Sequence, residues 1–320
     1  MHSIQGQSWR SVVKNVYVFG ILAIFFIVFT AINPKFIAGP SLSFIIQTVA
    51  PLLVVSLPAT LLMISGNIDL SVGSILAFSG VIMATLSKGG MAAWEAVLIA
   101  AVLGLGVGWI NGLLVSHLKI TSVIATLVMN YVLLGVAKIL TGDTIPYVKG
   151  VQSDFNVIGR GKVGGLPVAT FFILAAIIIF IVLQKKSVLG KYSFAIGGNR
   201  DASILSGINA GRLVWLLYVI TGAAAAVGGC LSASKMGVAD ATSGAGFELD
   251  VIIAILIGGT SFAGGEGSVI RSIVGAFIVS VLTIGLNMAG VESFYQYVVK
   301  GAVLIAAVYL DKIIKEKVST

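Results

Sequence analysis

The polar side chains that could contact a small solute lie in two interruptions of an otherwise apolar sequence. The first interruption, residues 64–74, separates the apolar segments 44–63 and 75–86, and the second, residues 258–268, is rich in glycine. Paired glycine-rich breaks in two halves of a membrane chain indicate a substrate pathway, whereas the alternative is a pair of tight turns at the membrane surface. The pathway interpretation selects five side chains, Asn67, Asp69, Ser71, Thr260 and Ser261.

Lys300 is the sixth pathway candidate, because it lies inside the last apolar segment, where a charge is costly and therefore suggests a function. The structural alternatives for Lys300 are an ion pair with Asp250 or Glu292, or a side chain that reaches the membrane surface. Asp69 and Ser71 also have a structural alternative, since either side chain could cap the start of a new helix.

The sequence lacks the patterns that nucleotide hydrolysis, metal chemistry or covalent catalysis need. No Walker-type Gly-x-x-x-x-Gly-Lys-Ser/Thr is present, and in the nearest glycine spacing, from Gly285 to Gly290, Val291 takes the place of lysine. Two histidines and one cysteine are too few for a multi-ligand metal site or for Cys/His catalysis. We therefore expect no catalytic residue, no enzyme activity, no metal and no cofactor.

The composition predicts an all-α membrane protein. Of the 320 residues, 58% are hydrophobic and 10% are charged, and the mean hydropathy is +1.09; soluble domains carry about 25% charged residues. The apolar runs are continuous, whereas the strands of a membrane barrel would alternate. About ten transmembrane spans are predicted, some of them discontinuous: 16–32, 42–63, 70–86, 93–115, 121–140, 167–184, 213–234, 249–262, 269–289 and 293–310.

The distribution of lysine and arginine predicts the orientation of a single transmembrane domain that covers residues 1–320. With the N-terminus inside, more basic residues fall on inner segments than on outer ones, which favours two cytoplasmic termini. Because the net charge of +8 follows membrane topology in this way, nucleic acid is not an expected partner. Residues 141–166 then form an extracytoplasmic loop, and residues 185–212 form a cytoplasmic loop. The span 249–262 is short for a full crossing and could be a half-helix that ends inside the protein.

The cytoplasmic loop contains a second kind of candidate, a short helix with an apolar face. Asn199 or Asp201 could cap its start, and the helix would end before Gly207. Its apolar residues, expected to share one face, are Ile204, Leu205 and Ile208. Such a face needs a covering surface, which is either a partner protein or the lipid headgroups beneath an interfacial helix.

The span 93–115 carries a stripe of small residues. Gly104, Gly108 and Gly112 recur at every fourth position, which places them on one helix face and allows another backbone to approach closely. Asn111 flanks the stripe and is expected to make an interhelical hydrogen bond rather than to bind a substrate.

Several of these segments together resemble the ribose-type permease subunits of bacterial ATP-binding-cassette (ABC) importers. Ser-Gly-Asn-Ile-Asp-Leu-Ser-Val-Gly-Ser at residues 65–74 is similar to the Gly-Gly-Ile-Asp-Leu-Ser-Val-Gly signature of that family. Further blocks that resemble family segments are 197–208, 246–250, 258–267 and 295–301. The sequence departs from the signature at Asn67, where a second glycine is usual, and this change leaves the identity of the substrate open.

The resemblance implies a multi-pass subunit of the bacterial cytoplasmic membrane that imports a monosaccharide and has no nucleotide site of its own. Its implied partners are ABC ATPase subunits, an extracytoplasmic sugar-binding protein, a second permease subunit in a homodimer or heterodimer, and membrane lipid. The short cytoplasmic helix would couple to the ATPase through Asn199, Asp201, Ala202, Ile204, Leu205, Ser206, Gly207 and Ile208.

The alternatives to a monosaccharide are a nucleoside, a branched-chain amino acid or a furanose-like signal molecule. An ion-coupled transporter that works alone is a further alternative, and it would need intramembrane carboxylates such as Asp69.

Overall fold

The protein is a bundle of helices with one small hairpin, in a computed structural model that describes residues 18–142 and 154–319. The hairpin pairs β1 (Lys162–Val163) with β2 (Leu166–Pro167), and a 3-10 turn covers Pro34–Ile37. The helices are α1 (Val18–Ile32), α2 (Gly39–Ile64), α3 (Val72–Lys88), α4 (Ala93–Ser116), α5 (Ser122–Thr141), α6 (Phe155–Arg160), α7 (Ala169–Lys186), α8 (Val188–Gly198), α9 (Arg200–Leu205), α10 (Ala210–Met236), α11 (Phe247–Ile257), α12 (Val269–Met288) and α13 (Ser293–Ser319).

Within the described ranges, six helices are long and apolar enough to cross a membrane: α2, α4, α5, α7, α10 and α12. Two shorter apolar helices, α1 and α3, add 15 residues between Val18 and Ile32 and 17 residues between Val72 and Lys88. The expected all-α, multi-pass membrane protein is therefore confirmed. The count of ten spans and the cytoplasmic location of both termini stay predictions.

Some boundaries differ from the predicted spans. The span expected over 249–262 is the 11-residue helix α11, because Gly258 and Gly259 end it early and Gly259 adopts a φ of +71° that other residues avoid. Residues 185–212, for which a cytoplasmic loop is predicted, hold an additional helix, α8, that was not predicted. The first two residues of the span 16–32, and residues 143–153 of the loop 141–166, lie outside the described residues.

Helix α2 is the centre of the bundle. It packs against α7, α10, α11 and α12, and its residues from Val49 to Ile64 are buried. Two buried hydroxyls in α2 bond to carbonyl oxygens one turn earlier, Ser56 Oγ to Leu52 O and Thr60 Oγ1 to Ser56 O, both at 2.6 Å. These bonds satisfy hydroxyl groups that would have no hydrogen-bond partner in lipid or in a dry core. Helix α2 can therefore lie inside the protein along most of its length.

Helices α4 and α10 meet backbone to backbone along the glycine stripe. A side chain at Gly104 would collide with Gly222 and Ala226 of α10, and one at Gly108 would collide with Tyr218. At Gly112 the obstacle is the backbone and ring of Trp215. The stripe lies where the two helices approach most closely, and it holds α10 in place beside the first break.

The segment after α5 is anchored to the C-terminal end of α10 by α6. Gly159 N donates a hydrogen bond to Ser234 Oγ at 2.7 Å, and Arg160 Nη2 donates one to Met236 O, also at 2.7 Å. Arg160 thereby supplies a donor to the carbonyl groups that an α-helix leaves unpaired at its C-terminus. At the other end of the segment, Asp154 Oδ2 accepts from Ala93 N at the start of α4.

Candidate functional site

The two glycine-rich breaks touch each other in the folded protein. Gly265 N donates a hydrogen bond to Ile64 O at 2.8 Å, and a Cβ at Gly264 would lie 2.9 Å from the Gly66 Cα atom. Both Gly66 and Gly264 have positive φ angles, +80° and +85°, so neither position accepts another residue without strain. Segments separated by about 200 positions along the chain thus form one junction.

A third segment joins the same junction at the end of α8. A side chain at Gly197 would collide with the Ile64 carbonyl oxygen and with Gly265 N. One at Gly265 would lie 3.1 Å from the Gly198 Cα atom. We call this convergence of residues 64–66, 197–198 and 264–265 the glycine junction. It connects the central helix α2, the loop after α11 and the end of α8, which leads into α9.

Asn67, Asp69 and Ser71 follow the junction in an irregular segment between α2 and α3, and all three are buried. Asn67 Nδ2 donates to Ser65 O and to Ser65 Oγ, both at 3.2 Å. Asp69 Oδ1 accepts from Ser71 N at 2.8 Å and from Ser71 Oγ at 2.6 Å, which closes a turn one residue before α3 begins. Neither Asp69 nor Ser71 makes the predicted side-chain cap of α3, since Asp69 Oδ1 is bonded to Ser71 and Ser71 Oγ is bonded to Asp69 and Asn111 rather than to a backbone N–H of the helix.

Neighbouring helices tie this segment into the bundle. Asn111 Nδ2 in α4 donates to Ser71 Oγ at 2.8 Å, so its partner lies in the segment just before α3 and not, as was expected, in a helix. Tyr218 Oη in α10 donates to Ile68 O at 2.9 Å. Two buried acceptors of this network, Asp69 Oδ2 and Asn111 Oδ1, have no hydrogen-bond partner among the described residues. An additional donor, such as a solute hydroxyl group, would satisfy either of these two acceptors.

Thr260 and Ser261 of the second break are also buried, with 1% exposure each. Ser261 N donates to Glu266 O at 2.9 Å, so the break folds back on itself before α12 begins. Two side chains cap its flanking helices: Arg271 Nε donates to Gly258 O at the end of α11, and Gln184 Oε1 accepts from Val269 N at the start of α12. The break is a compact connector held from three sides.

Lys300 lies apart from the other five pathway candidates. Its Nζ atom bonds to Asp250 Oδ2 at 2.7 Å, which realises the expected ion pair with Asp250 rather than with Glu292. The pair borders a cleft of about 330 Å³ between α11, α12 and α13. Asn67, Asp69, Ser71, Thr260 and Ser261 do not line this cleft. The described conformation thus separates the buried breaks from the open cleft.

The short helix predicted within residues 185–212 is α9, and its start and end are as the local sequence predicts. Asn199, rather than Asp201, is the cap, since its Oδ1 accepts from Ala202 N at 2.9 Å. Gly207 follows the helix with a φ of +84°. Leu205 is 89% exposed and Ile204 is 52% exposed, so an apolar face points away from the bundle.

The expectation that Ile208 shares this face is wrong. The turn at Gly207 reverses the chain, Ile208 N donates to Ser203 O at 3.0 Å, and the Ile208 side chain packs against the main core. The exposed face therefore consists of Ile204 and Leu205, with Ala202 and Ser206 beside them.

Sequence reasoning missed Gly197 and Gly198 as members of the junction, and it missed the polar residues Asn287, Gln296 and Tyr297 in the cleft. One signal for the cleft was present, since Gln296 and Lys300 are four residues apart and therefore share a helix face. The sequence contains no local signal for the meeting of Gly197 with residues 64 and 265.

Comparison with known proteins agrees with this architecture. The family model described as "Branched-chain amino acid transport system / permease component" matches residues 41–308. The ribose import permease protein of Bacillus subtilis (strain 168) is 35% identical over 91% of this chain and 90% of its own length. The D-allose transport system permease protein of Escherichia coli (strain K12) is 33% identical, over 93% and 91%. The galactose/methyl galactoside import permease protein of that strain is 31% identical, over 98% of each. No solved structure matches the chain.

Proposed function

This chain belongs to the family of branched-chain amino acid transport system permease components, and we propose that it is the membrane-spanning subunit of an ABC importer for a monosaccharide. The similar proteins named for ribose, allose and galactose support a sugar rather than an amino acid as the solute. In this proposal the chain crosses the bacterial cytoplasmic membrane about ten times, both termini are cytoplasmic, and ATP is hydrolysed by separate partner subunits.

The observation that carries the proposal is the position of α9. Its exposed residues Ile204 and Leu205 lie a few residues beyond Gly197 and Gly198, which belong to the glycine junction. Isolated helices of this length are marginal in water, so a partner surface is needed to stabilise it. An ATPase that covers α9 would therefore push on a segment in direct contact with α2 and with the loop after α11.

The remaining partners are an extracytoplasmic sugar-binding protein that delivers the solute, a second permease subunit and the surrounding lipid. Asn67, Asp69, Ser71, Thr260, Ser261 and Lys300 remain the candidates for the solute pathway. The first five are buried here, so their part in transport requires the glycine junction to open during the cycle.

A stand-alone ion-coupled transporter is the second candidate function. A single observation favours it, the buried Asp69 Oδ2 atom that has no partner among the described residues. An unpaired intramembrane carboxylate is the type of group that binds a proton or cation in such transporters.

Reconstitution into vesicles separates the two functions. The chain, an ATPase subunit and a sugar-binding protein are incorporated together, and uptake of a panel of labelled monosaccharides, nucleosides and branched-chain amino acids is measured. We expect uptake of a monosaccharide that requires ATP and the ATPase, and no ATP hydrolysis by the purified chain alone. Uptake driven by an ion gradient without the ATPase would instead support the second candidate.

A further inference from the structure

We propose that the cleft between α11, α12 and α13 is a binding site for the ring of an uncharged monosaccharide, an inference that rests on the proposed import function. Seven side chains provide the polar and aromatic surface of the cleft: Asp250, Thr283, Asn287, Ser293, Gln296, Tyr297 and Lys300. The larger apolar side chains of its lining are Leu249, Ile253 and Leu304. A volume of about 330 Å³ lies at the lower end of the range of small-molecule sites, which suits a single sugar ring rather than a disaccharide.

The charges of the cleft compensate each other. Lys300 Nζ and Asp250 Oδ2 are 2.7 Å apart, and both side chains are about one fifth exposed. A zwitterionic amino acid would have to compete with this internal pair for both of its charged groups. An uncharged polyol can instead bond to the pair as it stands, since the Lys300 ammonium group has N–H donors beyond the one that bonds to Asp250.

Two amide side chains hold each other in a defined orientation beside the ion pair. Gln296 Nε2 donates to Asn287 Oδ1 at 2.7 Å and to Val291 O at 3.0 Å, which uses both of its N–H groups. The hydrogen-bonding atoms that remain are the Asn287 amide nitrogen, a donor, and the Gln296 amide oxygen, an acceptor. Sugar hydroxyl groups both donate and accept, so a fixed donor next to a fixed acceptor matches two adjacent hydroxyl groups.

Tyr297 adds an aromatic surface to these polar groups. Its side chain is 61% exposed, although it lies next to Gly246, where a Cβ would be 3.6 Å from the Tyr297 Cε1 atom. The C–H groups of a sugar ring can pack on such an aromatic face while its hydroxyl groups bond to the amides and the ion pair. Large amphipathic aromatic side chains of this kind are common in binding sites.

The position of the cleft connects it to the transport cycle. Asp250 lies on the first turn of α11, and at this N-terminal end Glu248 and the preceding Gly244 lie close to Gly73 of α3. The other end of α11 leads into the glycine junction. One short helix thus joins the proposed sugar site to the segment that precedes α9.

The test uses cysteine labelling in the reconstituted importer. The background is Cys230→Ser, and Thr283→Cys places a thiol in the cleft, while Lys88→Cys at the exposed end of α3 serves as a control position. We expect the imported monosaccharide to slow labelling of Thr283→Cys by a small uncharged reagent and to leave Lys88→Cys unaffected. Sucrose at the same concentration should have no effect on either thiol, because a disaccharide exceeds the cleft.

Matched variants then assign the protection to the cleft. Tyr297→Ala and Asn287→Ala should each raise the sugar concentration for half-protection by about threefold to tenfold, the value of one lost contact. Tyr295→Ala removes an exposed aromatic side chain two residues away that does not line the cleft, and it should leave half-protection unchanged.

The inference and the proposed function fail in different ways. If the vesicles take up no monosaccharide, the proposed function is wrong. If they take up a sugar that gives no protection, or if Tyr297→Ala behaves like Tyr295→Ala, the cleft is not the site. Protection by an amino acid alone overturns the monosaccharide assignment. A Thr283→Cys thiol that no reagent reaches in the assembled importer also overturns the inference, because the cleft would then be covered by a partner subunit.

Discussion

The two ends of α11 have opposite surroundings. At its C-terminal end the chain packs backbone against backbone, with Gly258 on Ser272 and with Gly264 and Gly265 on residues 66 and 198. At its N-terminal end, Asp250 borders an open cleft lined by polar and aromatic side chains together with the aliphatic Leu249, Ile253 and Leu304. Between the two ends, residues 251–256 of the helix are buried.

This difference indicates a division of roles along one rigid element. Packed backbones leave no space to absorb a displacement, so movement at one member of the glycine junction is passed to the others. An open polar cleft can exchange a ligand with water. Helix α11 has 11 residues and spans about 16 Å. It can therefore connect the tightly packed glycine junction to a cleft that exchanges a ligand with water.

The largest effect is expected from adding one methyl group in the glycine junction, at the C-terminal end of α11. Gly197→Ala would place a Cβ on the Ile64 carbonyl oxygen, whereas Gly198→Ala would meet no atom within 4 Å. Overpacking of this kind typically costs about 1–3 kcal/mol. We expect Gly197→Ala to lower the unfolding temperature and to abolish transport, and we expect Gly198→Ala to behave like the parent. Thermal unfolding in detergent and sugar uptake in vesicles measure the two effects.

Equal behaviour of Gly197→Ala and Gly198→Ala would contradict the tight packing described for the C-terminal end of α11. The junction would then tolerate displacement at Gly197, and it could not pass movement from α9 to α2. A variant with normal unfolding temperature but no transport would sharpen the comparison instead, because it would separate mechanical coupling from folding.

A somewhat smaller effect is expected from Leu205→Asp on the exposed face of α9. Burying a leucine side chain contributes about 1.5–3 kcal/mol, and an unpaired charge in the same contact adds a further cost. We expect co-purification of the ATPase to fall by at least about tenfold, since about 1.4 kcal/mol corresponds to that factor. Membrane insertion should be normal, because Leu205 contacts water in the isolated chain.

Asp201→Asn is a control for that experiment, since Asp201 is on α9 but its charge is not part of the apolar face. Wild-type yield of the ATPase with the Leu205→Asp protein, together with normal transport, would show that α9 is not the coupling element. The glycine junction, at the C-terminal end of α11, would then receive no movement from the ATPase.

Local features were predicted well from the sequence, and long-range ones were not. The cap at Asn199, the helix end at Gly207 and the break at residues 64–74 depend on side chains that act within a few residues. The path of Ile208 depends on a turn whose outcome is decided by packing. The meeting of Gly197 with Ile64 depends on three helices together, so no window of sequence contains it.

The candidate site illustrates the same limit. Asp69 and Lys300 stand out in the sequence because each is a charge in an apolar context. The bond from Lys300 to Asp250 was one of several alternatives, and the structure selects it. The neutral partners Gln296, Asn287 and Tyr297 carry no such signal, because amides and tyrosines are ordinary near helix ends.

A moderate effect is expected from Asp69→Asn, which removes the carboxylate near the glycine junction. Asparagine keeps an oxygen to accept from Ser71 N and Ser71 Oγ, and it replaces the unpartnered Oδ2 by an N–H donor. We expect the free energy of unfolding to change by less than about 1.5 kcal/mol, the range of one hydrogen bond, and transport to decrease. Intact transport would show that Asp69 serves only the turn before α3.

The smallest effect is expected from thiol labelling at the two breaks, because the described conformation buries both positions. Asn67 is 6% exposed and Ser261 is 1% exposed, whereas the neighbouring Phe262 is 46% exposed. In the Cys230→Ser background, Phe262→Cys should react in every state, and Asn67→Cys and Ser261→Cys should react slowly at rest. If the breaks line the solute pathway, ATP turnover must expose them, so labelling of both should accelerate during transport. If labelling stays slow at both positions during active uptake, the two breaks have a role in packing and do not line the solute pathway. The cleft at the N-terminal end of α11 would then be the remaining candidate for the place where the chain binds its solute.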